Sequence, residues 1–415
     1  MADYLINLKD EARKDYSIYF FDKNPFPSLT VPEEDPRITA DRHESIKQFK
    51  DKMNGLRLHD ESSVMVFVGE YGSGKSHLLR VFSSAVIEQL DNPKDGVFPI
   101  LIKSPGRNFL DYFIEAINGI GLSRMVRVSN QIVEDYIKKN PLVVKQLVDN
   151  DMKPRLEKHD YELEELLEHS QKLDLFDKIR KDTLKDVKES DLAYALLFLS
   201  PNSTRSLAWN WFFGSTLNRE DKSKIKIIDS NNDSRRAKMF LKDFANILEI
   251  IRYKYLAFFI DEYEKISILS TNQGKIFQDD IRDIIDTFPK RVAMFFAVAI
   301  HPWRDMEKET TALMRRLQSN VLELTTFNES DITELIQKYI GSFRSESNTN
   351  KIKSSFPNCQ VELAPFTSGA IATIFDESTG IVSDVLEKCR KIIEYGVEIN
   401  EKEITKKTVK KALKS

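Results

Sequence analysis

The segment Gly69-Glu70-Tyr71-Gly72-Ser73-Gly74-Lys75-Ser76 constrains this chain more than any other feature. It fits the pattern G-x-x-x-x-G-K-[ST] and stands between the apolar run Ser63 to Val68 (SVMVFV) and a helical pattern from Lys75 to about Leu90. An apolar run of strand length with no polar alternation is the mark of a parallel strand covered on both faces. Strand, glycine loop and helix in that order is the context in which this motif holds phosphate. Glycines let the backbone curl so that several N–H groups converge on phosphate oxygens, and the helix start adds the positive end of its dipole. The chain has only 14 glycines in 415 residues, yet three of them are Gly69, Gly72 and Gly74. Glycine otherwise serves turns and caps, so a chain this poor in it is built of long helices and strands, and the cluster has a purpose of its own. Gly69, Tyr71, Gly72, Ser73, Gly74, Lys75, Ser76 and His77 are therefore the candidate residues for binding ATP. Lys75 would reach the β- and γ-phosphates, and Ser76 would ligate Mg2+.

A loop of this class needs a second, acidic element, and Tyr255 to Glu262 (YLAFFIDE) supplies one by ending an apolar strand in Asp261-Glu262. Asp261 would hold Mg2+ largely through its water, and Glu262 would orient and deprotonate the attacking water. Acids at the solvated edge of a strand are the plain alternative. The adjacent Glu favours hydrolysis over transfer to a small-molecule hydroxyl, which leaves a small-molecule kinase as the lesser reading. Tyr263 and Glu264, which extend the acidic end, are expected to be solvated or to face a partner.

Other candidates carry two readings each. Arg315-Arg316, just before the apolar run at Val321, could reach a neighbouring subunit's nucleotide as an arginine finger, or be a surface pair on a helix. His301 follows the run Val292 to Ala299 (VAMFFAVA), where it could sense the γ-phosphate or be structural. Trp209 and Trp211 lack basic neighbours, so core packing is expected over base stacking. Lys406, Lys407, Lys410, Lys411 and Lys414 give the last helix a lysine face, read first as a solubilising face and second as a phosphate contact. Arg235, Arg236 and Lys238 share that ambiguity.

The rest of the chain organises around these points. Asn24-Pro25-Phe26-Pro27 through Pro32 and Pro36 reads as an extended N-terminal arm over 1–40. Val97 to Lys103, Tyr255 to Ile260, Val292 to Ala299 and Val321 to Thr325 read as further strands, which makes an α/β parallel-sheet core over 41–124 and 235–327. A mainly helical insertion fills 125–234, and 328–415 is expected to be all helical. The net charge of -3 argues against a strongly basic tail. Two cysteines, Cys359 and Cys389, are too few for a disulfide framework, and with no long apolar run and no leader-like N-terminus a cytoplasmic location with no membrane contact is expected.

Taken together, Asp35 to Arg42 (DPRITADR), the GEYGSGKS loop, the FFIDE strand, Ala312 to Arg316 before VLELT and the terminal helices resemble AAA+ ATPases, the origin-recognition initiator group in particular. Gly72 to Arg80, Trp211 to Gly214 and Leu241 to Tyr263 are also similar to ATP-binding proteins of BREX-type phage-defence systems. The AAA+ resemblance implies an adenine pocket around Ile38 to Arg42, ATP at a subunit interface, a helical lid, and an arginine finger at Arg315 or Arg316. His301 falls near the family's first sensor, which is more often Asn, Thr or Ser. Where relatives carry a second-sensor arginine after a lid glycine, this chain reads Gly380-Ile381-Val382-Ser383, with Arg390 about two turns on. Initiators carry a winged-helix domain after the lid, and the sequence stops at the lid, so DNA contact is expected from the ATPase ring, the insertion or a partner. The implied function is an ATPase that oligomerises and remodels, translocates on or licenses a nucleic-acid complex in anti-phage defence or mobile-element biology. Its partners would be copies of itself or other proteins of the same system, with DNA. The alternative is a slow ATP-dependent switch or scaffold that assembles a protein complex.

Overall fold

The computed structural model describes residues 14–28, 38–40, 42–94, 96–288, 290–308 and 311–414. Its centre is a parallel, five-stranded sheet of β1 (Ser63–Gly69), β2 (Val97–Ile102), β3 (Tyr255–Ile260), β4 (Val292–Ala299) and β5 (Val321–Leu324), in the order β2-β3-β4-β1-β5. Val97 lies opposite Tyr255 and Ile102 opposite Ile260, while Leu256 to Ile260 face Val292 to Phe296. Every residue of β3 and β4 is buried, as continuous apolar runs require of central strands.

The chain divides into two compact units, one of 47–68 and 82–322 and the other of 1–46, 69–81 and 323–415. In the first, aromatic rings cover both faces of the sheet. Phe49 stacks on Phe82 at 4.1 Å and Phe259 on Phe295 at 5.1 Å, while Phe98 meets Tyr253 edge-on at 5.2 Å.

The helical stretch 122–250 shares this core: Leu196, Phe198 and Trp211 belong to the same buried cluster as Val66, Phe98 and Phe258. Its first long helix, Leu122–Lys139, is tied down by Asp91, a buried carboxylate that accepts from Arg124 at 2.9 Å and Arg127 at 2.7 Å. Arg124 also lies over the Phe98 ring and donates to Pro99 O. Trp211 is fully buried with its indole N–H on Asp229 O, in agreement with core packing. Arg236 pairs with Glu189 and Asp191, and Lys238 with Asp280 and Asp283, so both are held inside this unit.

The second unit has its own core, in which Phe327, Ile336, Phe366 and Ile392 pack with Tyr19, Phe21 and Phe26 of the arm. The described part of the arm is thus embedded in the helical region: the Phe26 ring meets Tyr339 at 5.8 Å and Phe366 at 6.1 Å, and Asn24 donates to Arg390 O. Pro32, Asp35, Pro36, Arg37 and Asp41 lie outside the described residues. Several helices of this unit open on side-chain caps, Asn328 with Asp331 and Thr405 with Thr408 among them. No helix among the described residues is long and apolar enough to cross a membrane. Both cysteines are free, Cys389 buried and Cys359 partly so.

Candidate nucleotide site

The glycine loop leaves the carboxyl end of β1 and enters the helix Lys75–Gln89. Gly72 and Gly74 take φ of +79° and +92°, values that a side chain disfavours, and so turn the backbone sharply into the helix. Among the described residues the N–H groups of these two glycines have no hydrogen-bond acceptor. They are donors awaiting an acceptor at a helix N-terminus, which is the chemistry a phosphate satisfies. Ser73 is buried, and its Oγ has no partner. Lys75 is also buried; its Nζ donates to Gly69 O at 2.9 Å and Glu70 O at 2.8 Å. A lysine held by two carbonyls of its own loop keeps its charge at the loop mouth.

Ile38 and Arg42 are tied to this loop and the helix that follows it, and Thr39 between them is held by Lys338. His77 Nε2 donates to Ile38 O at 2.9 Å, Arg42 Nη2 donates to Ser73 O at 2.9 Å, and Lys338 donates to Thr39 O at 2.6 Å. The Arg42 guanidinium lies 4.5 Å from the centre of the Phe327 ring, a stacked cation on an aromatic face. Ile38, Arg42 and His77 are therefore brought together with the loop. Phe327 and Lys338 join them without having been singled out in the sequence.

The helical region meets the loop through main-chain atoms. Ser383 N donates to Gly72 O at 3.1 Å, and a Cβ on Gly72 would fall 2.0 Å from Ser383 Oγ. Phe327 N donates to Gly380 O at 2.8 Å; Gly380 has φ of +78°, and a Cβ there would lie 2.3 Å from Phe327 O. Arg390, the arginine nearest the second-sensor position, donates to Phe26 O at 3.1 Å and pairs with Glu394 at 2.9 Å. It is committed to the arm, and a serine stands over the loop instead.

The acidic pair belongs to the other unit. Asp261 follows β3, is largely buried, and accepts from Glu262 N at 2.9 Å. Glu262 adopts a left-handed conformation (φ +50°), and its half-exposed carboxylate pairs with Lys265. That sharp turn sends Tyr263 inward, where it is fully buried with its ring 4.8 Å from Phe296. Glu264 accepts from Ala299 N at 3.2 Å. Tyr263 thereby departs from the expectation that it is solvated or partner-facing, while Glu264 keeps part of its side chain at the surface.

Arg315 and Arg316 are exposed on the short helix Ala312–Gln318, with Arg316 paired to Asp286 at 2.7 Å. His301 is exposed in the first turn of the helix Ile300–Met306. No cluster of three His, Cys, Asp or Glu side chains able to hold a metal exists among the described residues.

No protein-family model and no curated protein sequence matches this chain. Among solved structures it is similar to the Aeropyrum pernix ORC2 protein, solved as ADPNP-ADP complexes, with a TM-score of 0.48 and 12% identity over 95% of this chain and 72% of that one. It is similar also to Cdc6p from Pyrobaculum aerophilum, with a TM-score of 0.46 and 11% identity over 96% of this chain and 70% of that one.

Proposed function

We propose that this chain is an AAA+ ATPase that binds and hydrolyses ATP, assembles into oligomers or with partner proteins in the cytoplasm, and acts on a nucleic-acid complex. The observation that carries this reading is the loop at the end of β1, with its unused glycine N–H donors, buried Lys75, and clamp of Ile38, Arg42 and His77. Residues 41–124 and 235–327 form the ATPase core in this account, 125–234 the insertion, and 328–415 the lid. Anti-phage defence or mobile-element biology is the setting the sequence resemblance suggests.

In this mechanism the N–H groups of Gly72 and Gly74 and the Lys75 ammonium bind the β- and γ-phosphates. Ser76 and Asp261 would hold Mg2+, which supplies positive charge to the phosphate oxygens as the bond breaks. Glu262 positions a water and accepts its proton while the water oxygen bonds to the γ-phosphorus, and the bond from that phosphorus to the β–γ bridging oxygen breaks, so that ADP leaves with the bonding electrons. Arg42 and Phe327 already stack on each other, so a flat base would lie against an outer face of that pair, on the guanidinium or the ring. Arg315 or Arg316 would neutralise charge on a neighbouring subunit's nucleotide, with Arg316 first leaving Asp286.

A second reading, a slow switch that assembles partners on ATP binding, draws on one observation. The lid residue over the loop is Ser383, and Arg390 is held by Phe26 and Glu394. Without a lid arginine, closure adds little charge to the transition state, so hydrolysis would be slow. Particle mass with and without ATP, read alongside turnover with and without DNA, separates the two. An ATPase working on nucleic acid should assemble with ATP and turn over at least about tenfold faster with DNA. Assembly with turnover indifferent to DNA supports the switch.

A further inference from the structure

We propose that Lys406, Lys407, Lys410, Lys411 and Lys414, with Tyr395, form a docking surface for the phosphate backbone of duplex DNA. This deepens the nucleic-acid part of the preceding reading and rests on it, but the surface itself is new and adds the lid to the places where DNA contact was expected. The six residues line one shallow basin of about 770 Å3.

The helix Lys406–Ala412 is fixed by the capping pair Thr405 and Thr408, and it turns Thr408, Val409 and Ala412 into the core. Everything it leaves outward is lysine: 406, 407, 410 and 411 are exposed, as is Lys414 just beyond it. Among the described residues none of the five pairs with a carboxylate. Among the described residues, three of the acids close by in sequence are already engaged, and the exposed Glu401 pairs with none of the five lysines. Glu398 pairs with Lys14 at 2.6 Å, Glu394 with Arg390 at 2.9 Å, and Glu403 accepts from Asn358 N and Nδ2 at 2.8 Å.

A solubilising face does not require this pattern. Other helices of the same unit place an acid four residues before each of several lysines: Glu334 before Lys338, Asp384 before Lys388, Glu387 before Lys391. Such pairs stabilise a helix, whereas the like-charge pairs Lys406/Lys410 and Lys407/Lys411 destabilise it. The chain as a whole carries a net charge of -3, so this concentration of charge is local.

Charge density indicates the occupant. From Lys406 to Lys414 the helix rises about 12 Å, a length over which a duplex presents roughly seven phosphates and a single strand between three and four. Five cations within a lysine's reach fit the duplex. An anionic membrane fits poorly, because surface-lying helices insert apolar side chains and Val409 and Ala412 are buried inside the protein.

The test measures binding of the full chain to a duplex of random sequence across a range of salt concentrations. The comparison is between wild type, a variant with all five lysines changed to Gln, and one with all five changed to Arg. The Gln variant should bind at least about tenfold more weakly near 0.1 M salt, and the slope of log K against log salt should shrink by about 3 to 4.5. The Arg variant should restore both. DNA-free ATP turnover should match wild type in both variants, since none of the five belongs to the nucleotide site. An unchanged slope in the Gln variant, or a wild type that binds phosphatidylserine vesicles but not the duplex, overturns the proposal. Lysine-dependent DNA binding in a wild type that hydrolyses no ATP leaves this surface standing and removes the ATPase reading instead.

Discussion

Lys75→Ala should lose ATP binding by at least about thirtyfold and turnover by at least about a hundredfold. The ammonium is buried at the loop mouth, bound to Gly69 O and Glu70 O, and a phosphate oxygen offers it a full negative charge in place of two carbonyl dipoles. A charge-assisted bond of this kind contributes about 1.5–3 kcal/mol, and more where charge builds up in the transition state. The fold should survive, because the methylene stem contributes little to either core. Titration of a fluorescent ATP analogue together with a phosphate-release assay provides the check. Wild-type affinity in the alanine variant would mean that the loop does not hold the nucleotide through Lys75.

Gly380→Ala should lower folding stability more than the substitutions at Lys75 or Glu262. The residue sits at φ +78°, where a side chain costs about 1–2 kcal/mol, and its Cβ would lie 2.3 Å from Phe327 O and 3.2 Å from Thr326 Cβ. Main-chain oxygen cannot rotate away as a side chain can, so the segment Gly380 to Ser383 has to shift. The total cost should be about 2–4 kcal/mol, visible as a lower denaturant midpoint. The shift also weakens two contacts that meet there, the Phe327 N–H bond to Gly380 O and the Ser383 N–H bond to Gly72 O. Phe327 carries the Arg42 guanidinium on its ring, so ATP affinity should fall together with stability. A Gly380→Ala chain with wild-type midpoint and affinity would show that this approach is not maintained in solution.

Central strands were the most legible part of the sequence. Tyr255–Ile260 and Val292–Ala299 have the bounds read from their apolar runs, because burial on both faces leaves no polar residue to blur an edge. The helix Thr271–Thr287 was not singled out: its outward face mixes Ile276 with Asp279, Arg282 and Asp283, which dilutes the apolar stripe that marks a helix. Tyr263 was misread because it follows two acids, whereas the left-handed turn at Glu262 drives it into the core, and non-glycine residues give no sequence signal for such a turn.

The site divides along a similar line. The loop was legible because its chemistry needs glycines and a lysine at fixed spacing. Arg42 and Ile38 came from family resemblance alone. Phe327 and Ser383 were missed in their present positions because much of what they do runs through main-chain atoms, Phe327 N on Gly380 O and Ser383 N on Gly72 O, and no side-chain pattern encodes a main-chain contact. The lysine face was visible in sequence, but its lack of paired acids needed the structure, since Glu394, Glu398 and Glu403 are close in sequence and are engaged elsewhere.

The central claim is that this chain hydrolyses ATP with Glu262 as the base. Glu262→Gln keeps the shape and size of the side chain while removing its basicity, so the left-handed turn after β3 should be retained. ATP turnover and ATP binding measured on that one variant test the claim most directly. Turnover should fall at least about a hundredfold below wild type with ATP affinity within about threefold of it, leaving ATP trapped on the protein. Turnover equal to wild type would contradict the claim.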